Sequence, residues 1–97
     1  METKKSYHEK KEELLKDLSA RIDDLKKKAD QSAADLKVKY YEQIEALRPK
    51  QEAARKKLKE LKESGEDKWE GLKDGIEHAF TDLKKTFDNA MGKFKHK

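Results

Sequence analysis

Eight large apolar residues recur every eleven positions along almost the whole chain: Leu14, Leu25, Leu36, Leu47, Leu58, Trp69, Phe80 and Met91. A second ladder, Leu61, Leu72, Leu83 and Phe94, runs beside it in the C-terminal half. Eleven residues complete three turns at about 3.67 residues per turn, close to the natural helical period of about 3.6. A row with this spacing stays on one side of a helix, whereas a strand would throw it onto alternating faces. The pattern therefore demands an all-α chain with a narrow apolar stripe.

Composition agrees with thin helices sharing a seam rather than a globule with a deep core. Charged residues make up 47% of the 97 positions and the apolar set 33%. The 25 basic residues nearly balance the 21 acidic ones, so no part of the chain reads as a basic arm or an acidic tail. Without cysteine, a disulfide framework and a thiolate metal site are both excluded. Residues 1–16 are polar and do not resemble a signal peptide, and no run approaches the roughly 20 apolar residues of a membrane span. We therefore expect one helical domain over residues 1–97, in the cytoplasm.

From about residue 6 to 63 there is no glycine, and Lys, Glu, Ala, Leu and Gln dominate. The apolar residues Leu14, Leu18, Ile22, Leu25, Leu36, Tyr40, Ile44, Leu47, Leu58 and Leu61 follow helical steps. Acid-to-base pairs four apart, such as Asp17–Arg21 and Glu52–Lys56, add roughly 0.2–0.5 kcal/mol each. We expect one long helix over about 6–63. Pro49 interrupts it, and either kinks it or starts a new helix at Arg48-Pro49. The stripe stays in phase from Leu47 to Leu58, which favours a kink.

Ser64-Gly65 is the stronger break. Gly65 suits a left-handed helix end, and Ser64 or Asp67 suits the cap of a following helix. That shorter helix, about 66–94, carries Trp69, Leu72, Ile76, Phe80, Leu83, Phe87, Met91 and Phe94 within an arc of about 100°. Folded as an antiparallel hairpin, about 29 residues of helix cover only half of a partner about 58 residues long. The stripe from Leu14 to about Ala33 is then bare, and a bare stripe calls for a dimer or higher bundle.

The residues offer little chemistry. None of His8, His78 and His96 completes the Glu-x-x-His pairs of di-iron bundles or a His-x-x-x-His spacing, so we expect no metal and no cofactor. Carboxylates abound, but nothing in the sequence sets a pair apart in an apolar setting, and there is no phosphate loop or nucleophile motif. We expect no enzyme activity and no small-molecule substrate.

The basic groups Lys26-Lys27-Lys28 and Arg55-Lys56-Lys57 are interleaved with acids, which makes nucleic acid the weakest candidate partner. A membrane surface is a better one. Lys73, Lys84 and Lys95 border the aromatic face of the shorter helix, where their stems can snorkel. The row Glu66, Glu77 and Asp88 beside them offsets that attraction and suits pairing with another helix.

The eleven-residue repeats resemble, in period and charge style, exchangeable apolipoproteins, synucleins and late-embryogenesis-abundant proteins. The segments Lys37–Arg48 and Gly65–Glu77 are similar to small, highly charged bacterial coiled-coil proteins of unassigned function, often regarded as stress-associated. This resemblance implies a bacterial cytoplasmic helical protein and brings no catalytic residues. The leading expectation is a structural or interaction protein that self-associates through the stripe. The alternative is a stress-protection protein that becomes helical on membrane surfaces.

Overall fold

The computed structural model describes residues 3–95, with side chains described through residue 92. The chain folds into three helices: α1 (Lys4–Asp30), α2 (Ala34–Glu63) and α3 (Trp69–Lys95). Their 27, 30 and 27 residues give rods of about 40–45 Å at 1.5 Å per residue, and the molecule measures 52 × 21 × 19 Å. Among the described residues there is no strand.

The three-helix count corrects the expected long helix over 6–63. The extra break lies at Gln31-Ser32-Ala33, between two rungs of the ladder that remain eleven apart. Gln31 keeps a near-helical backbone (φ −96°, ψ −1°), and its N–H reaches back to the carbonyls of Lys27 and Lys28. Ser32 Oγ donates to the Lys28 carbonyl at 2.6 Å, satisfying one of the orphan acceptors at the end of α1. Ala33 then turns extended (φ −63°, ψ 158°) and starts α2 without a side-chain cap. The break needs neither glycine nor proline, so propensity alone did not reveal it.

The second break falls where expected, by a different mechanism. Gly65 has no positive φ; Ser64 ends α2 in an extended conformation, with its hydroxyl donating to the Leu61 carbonyl at 2.7 Å. Ser64 therefore caps the helix it follows. A turn over 65–68 intervenes, closed by the Lys68 N–H on the Gly65 carbonyl, and delays α3 from about 66 to Trp69. Pro49 lies inside α2, which runs through it without a second helix beginning at Arg48. At the other end Thr3 caps α1, its hydroxyl accepting from the Ser6 N–H at 3.1 Å.

Two short connections make α1 antiparallel to α2, and α2 antiparallel to α3. Both outer helices lie along α2, whereas the backbones of α1 and α3 approach each other at few points. The core is one cluster drawn from all three helices, including Leu18, Leu25, Ile44, Leu47, Leu61, Ile76 and Leu83. Burying such a side chain contributes roughly 1.5–3 kcal/mol. Folding α1 back onto α2 covers the N-terminal stripe within the same chain, so the bare segment from Leu14 to Ala33 does not arise: Leu18, Ile22, Leu25 and Ala29 are all buried.

Candidate functional site

The ladder residues divide by position in the bundle. Leu18, Ile22, Leu25, Ile44, Leu47, Leu58, Leu61, Trp69, Ile76, Phe80, Leu83 and Phe87 are buried against one another. Leu14, Tyr40, Leu72 and Met91 are half-buried on the rim of that core. Leu36 is 39% exposed, and the Phe94 side chain lies outside the described residues. Besides the large residues of the expected stripe, Tyr7, Leu15, Ala29, Ala54 and Ala90 are also buried. Leu15, Leu18, Ile22, Leu25 and Ala29 alternate steps of three and four, a signal overshadowed by the eleven-residue row beginning at Leu14.

One candidate surface is the end of the bundle formed by the α1–α2 turn. Leu36 and Val38, at 39% and 60% exposure, are the large apolar residues left facing solvent among those described. Val38 and Tyr41 line a shallow depression with Lys37, Glu42 and Glu45. The Tyr41 hydroxyl donates to the Asp30 carboxylate, tying the first turns of α2 to the last turn of α1. That bond to a carboxylate, with some desolvation, raises the Tyr41 pKa above its ordinary value. Tyr41 therefore packs on a second line, off the main stripe, while Val38 stays outside the core.

A second candidate is the seam between α1 and α3, where widely spaced backbones are bridged by long side chains. The rings of Tyr7 and Trp69 stand 5.8 Å apart at 45°. Lys11 reaches Glu77 at 2.6 Å, and the Tyr7 hydroxyl donates to the same carboxylate. The Lys73 ammonium lies 4.7 Å from the Trp69 ring centre and 5.4 Å from that of Tyr7. Contact with Lys11, then the Tyr7 hydrogen bond, holds the Glu77 carboxyl below the usual range. At the far end, Leu25, Phe87 and Met91 line a small cleft with Arg21, Asp24 and Lys28. The expected acidic and basic rows of α3 thus serve in part within the chain, through Glu77 and Lys73.

The groove between α1 and α2, about 510 Å³, is floored by Leu15 and Leu58. Lys16, Arg55, Lys59 and Lys62 rim it, opposed by Glu12 and Asp23. Its charge is mixed, and it holds no buried polar group that would select a ligand. Among the described residues, no cluster of His, Asp or Glu is placed to hold a metal ion, and no helix is long and apolar enough to cross a membrane. Comparison with known proteins finds no matching family model, no matching curated protein and no matching solved structure.

Proposed function

We propose that this chain is a non-enzymatic interaction protein whose principal partner is another copy of itself. The observation that carries the reading is the contrast between a closed core and an apolar end. Nearly the whole described stripe is consumed within the chain, yet two large apolar residues in the first turns of α2 remain in water: Leu36, on the line of the stripe, and Val38, beside Tyr41 on another face of the helix. Leu36 is an exposed rung of an otherwise covered ladder, so a second copy seated on that end of the bundle would complete the stripe. The rest of the surface is densely and evenly charged, which keeps such a protein soluble while the end patch selects the contact.

Sedimentation velocity across micromolar concentrations tests this reading. The natural chain is expected to show a concentration-dependent dimer, and Val38→Lys with Leu36→Glu to remain monomeric at unchanged helicity. A natural chain that stays a folded monomer throughout would remove the proposal.

A second reading draws on the α1–α3 seam. Because α1 and α3 meet mainly through side chains, α3 can leave the bundle by giving up one close helix–helix packing, that with α2. Its aromatic face, bordered by Lys73 and Lys84, suits a lipid surface once freed. Trp69 reports on this directly: anionic vesicles should shift its fluorescence to the blue only if it enters lipid. An unchanged spectrum at saturating vesicle concentration would discard the reading.

A further inference from the structure

The turn between α1 and α2 interrupts a sequence written for a continuous helix. Leu25, Ala29, Ala33, Leu36 and Tyr40 keep steps of three and four straight through it. The linking residues Gln31, Ser32 and Ala33 include no glycine or proline, and none adopts a positive φ. Gln31 is already near-helical, while Ala33 must turn from a ψ of 158° to about −42° for the helix to continue. The start of α2 has no side-chain cap to lose on straightening. What the turn leaves in water, Leu36, is the rung that a continuous stripe would carry on its apolar side.

The pairing of α1 with α2 decides what a straightened chain would meet. The Gln51 amide donates to Ser19 Oγ at 2.8 Å, and Tyr41 bonds Asp30. The midpoint of 19 and 51 is 35, and that of 30 and 41 is 35.5. If α1 makes these same contacts with the α2 of a second copy, the two fused helices run antiparallel about a twofold axis beside residue 35. Leu36 then lies next to its own symmetry mate. Each α1 also keeps its contacts with the partner's α3, so the interface is the existing core cut in half, as in obligate dimers.

We infer that the chain forms a domain-swapped dimer, in which Gln31–Ala33 becomes helical, α1 and α2 fuse into one helix of about 60 residues and about 90 Å, and α1 docks on the α2 and α3 of a second copy. The contacts between helices are retained, and the balance between forms is set by the turn, by Leu36 and by protein concentration. This inference rests on the self-association reading and specifies its geometry.

The absence of cysteine permits a clean test. Lys16 and Arg55 are exposed and line the same α1–α2 groove. A chain carrying Lys16→Cys and Arg55→Cys is refolded at high concentration, its dimer fraction isolated by gel filtration, and the thiols bridged with a short bismaleimide. The swapped dimer gives covalent dimers on a denaturing gel, because each bridge joins two copies. A dimer joined only by surface contact gives covalently closed monomers; that result overturns the swap and leaves self-association standing. If no dimer fraction forms at all, both fail. Inserting Gly-Gly after Ser32 should relax the turn and lower the dimer fraction at least tenfold, with helicity by circular dichroism unchanged. Equal dimer fractions with and without the insertion would also overturn the inference.

Discussion

The Lys11 ammonium, largely withdrawn from water at 16% side-chain exposure, lies 2.6 Å from the Glu77 carboxylate and joins α1 to α3 where their backbones stand apart. The same lysine lies 5.5 Å from the ring centres of Tyr7 and Phe80. It occupies an inward position of α1 that an apolar residue would fill in a tighter bundle. The charge is tolerated because its stem packs on rings while its head meets an anion.

Acid should loosen this seam first. The folded-state pKa of Glu77 is lowered, chiefly by Lys11, so the unfolded chain binds more protons in the acid range. The stability it contributes is complete above the ordinary carboxylate range of about 4 and is lost as pH falls through the depressed folded value. Asp82, lowered by Lys50 at 2.7 Å between α3 and α2, acts in the same direction. Because Glu77 is 51% exposed, Glu77→Gln should cost under about 1 kcal/mol at neutral pH. Urea midpoints of the two chains should differ at pH 7 and converge as pH falls through the depressed folded value. A gap that persists in strong acid would assign the effect to packing instead of charge.

Pro49 sits inside α2 on the solvent side, where it supplies no N–H to the carbonyl one turn back. An interior proline costs a helix about 3 kcal/mol relative to alanine, partly offset by its restriction of the unfolded chain, worth about 0.4–1 kcal/mol. Pro49→Ala should therefore stabilise the fold by about 1–3 kcal/mol, visible as a higher thermal midpoint. A lower midpoint would mean that α2 needs the shape proline imposes.

The all-helical architecture, the break at Ser64 and most of the core were legible because each leaves a periodic or chemical mark. The turn at 31–33 left none that outweighed the ladder: Leu25, Leu36 and Leu47 are in phase on either side of it. Ser32, followed three residues later by Asp35, has the spacing of a capping box, yet its hydroxyl closes α1 and does not open α2. What decides the turn is non-local. A helix folding back on α2 buries Leu15, Leu18, Ile22 and Leu25 at once, more than the local cost of three residues leaving the helix. The α1–α3 seam was equally hidden, since Tyr7, Lys11 and Glu77 become neighbours only when the third helix exists.

The glycines of α3 separate propensity from packing. A methyl group at Gly71 would meet nothing within 4 Å, and at Gly75 it would touch only the flexible end of Lys57, its Nζ at 3.6 Å. Both positions are helical, where glycine costs about 0.5–1 kcal/mol relative to alanine. Gly71→Ala should raise stability by about that amount, and Gly75→Ala by no more. Chemical denaturation reads both; destabilisation at Gly71 would show that α3 requires the freedom of glycine there. At Gly65, by contrast, the added carbon would stand 3.0 Å from Asp67 Oδ1, and Gly65→Ala should give no gain.

Leu36 and Leu47 are identical residues one rung apart on the same ladder, and the bundle treats them oppositely: 39% exposed against fully buried. Truncating Leu47 leaves a cavity in the centre of α2, and Leu47→Ala should cost about 2–5 kcal/mol. In a closed monomer Leu36→Ala removes little buried surface and should cost under about 0.5 kcal/mol, the range of surface substitutions. The two costs respond differently to concentration. That of Leu47→Ala should be the same in dilute and concentrated samples, because Leu47 is enclosed whichever copy supplies α1. That of Leu36→Ala should grow as the sample is concentrated, since only association covers that side chain. Thermal melts of both variants at low and high concentration measure the contrast, and a Leu36→Ala penalty that does not change would remove this residue from the contact between copies.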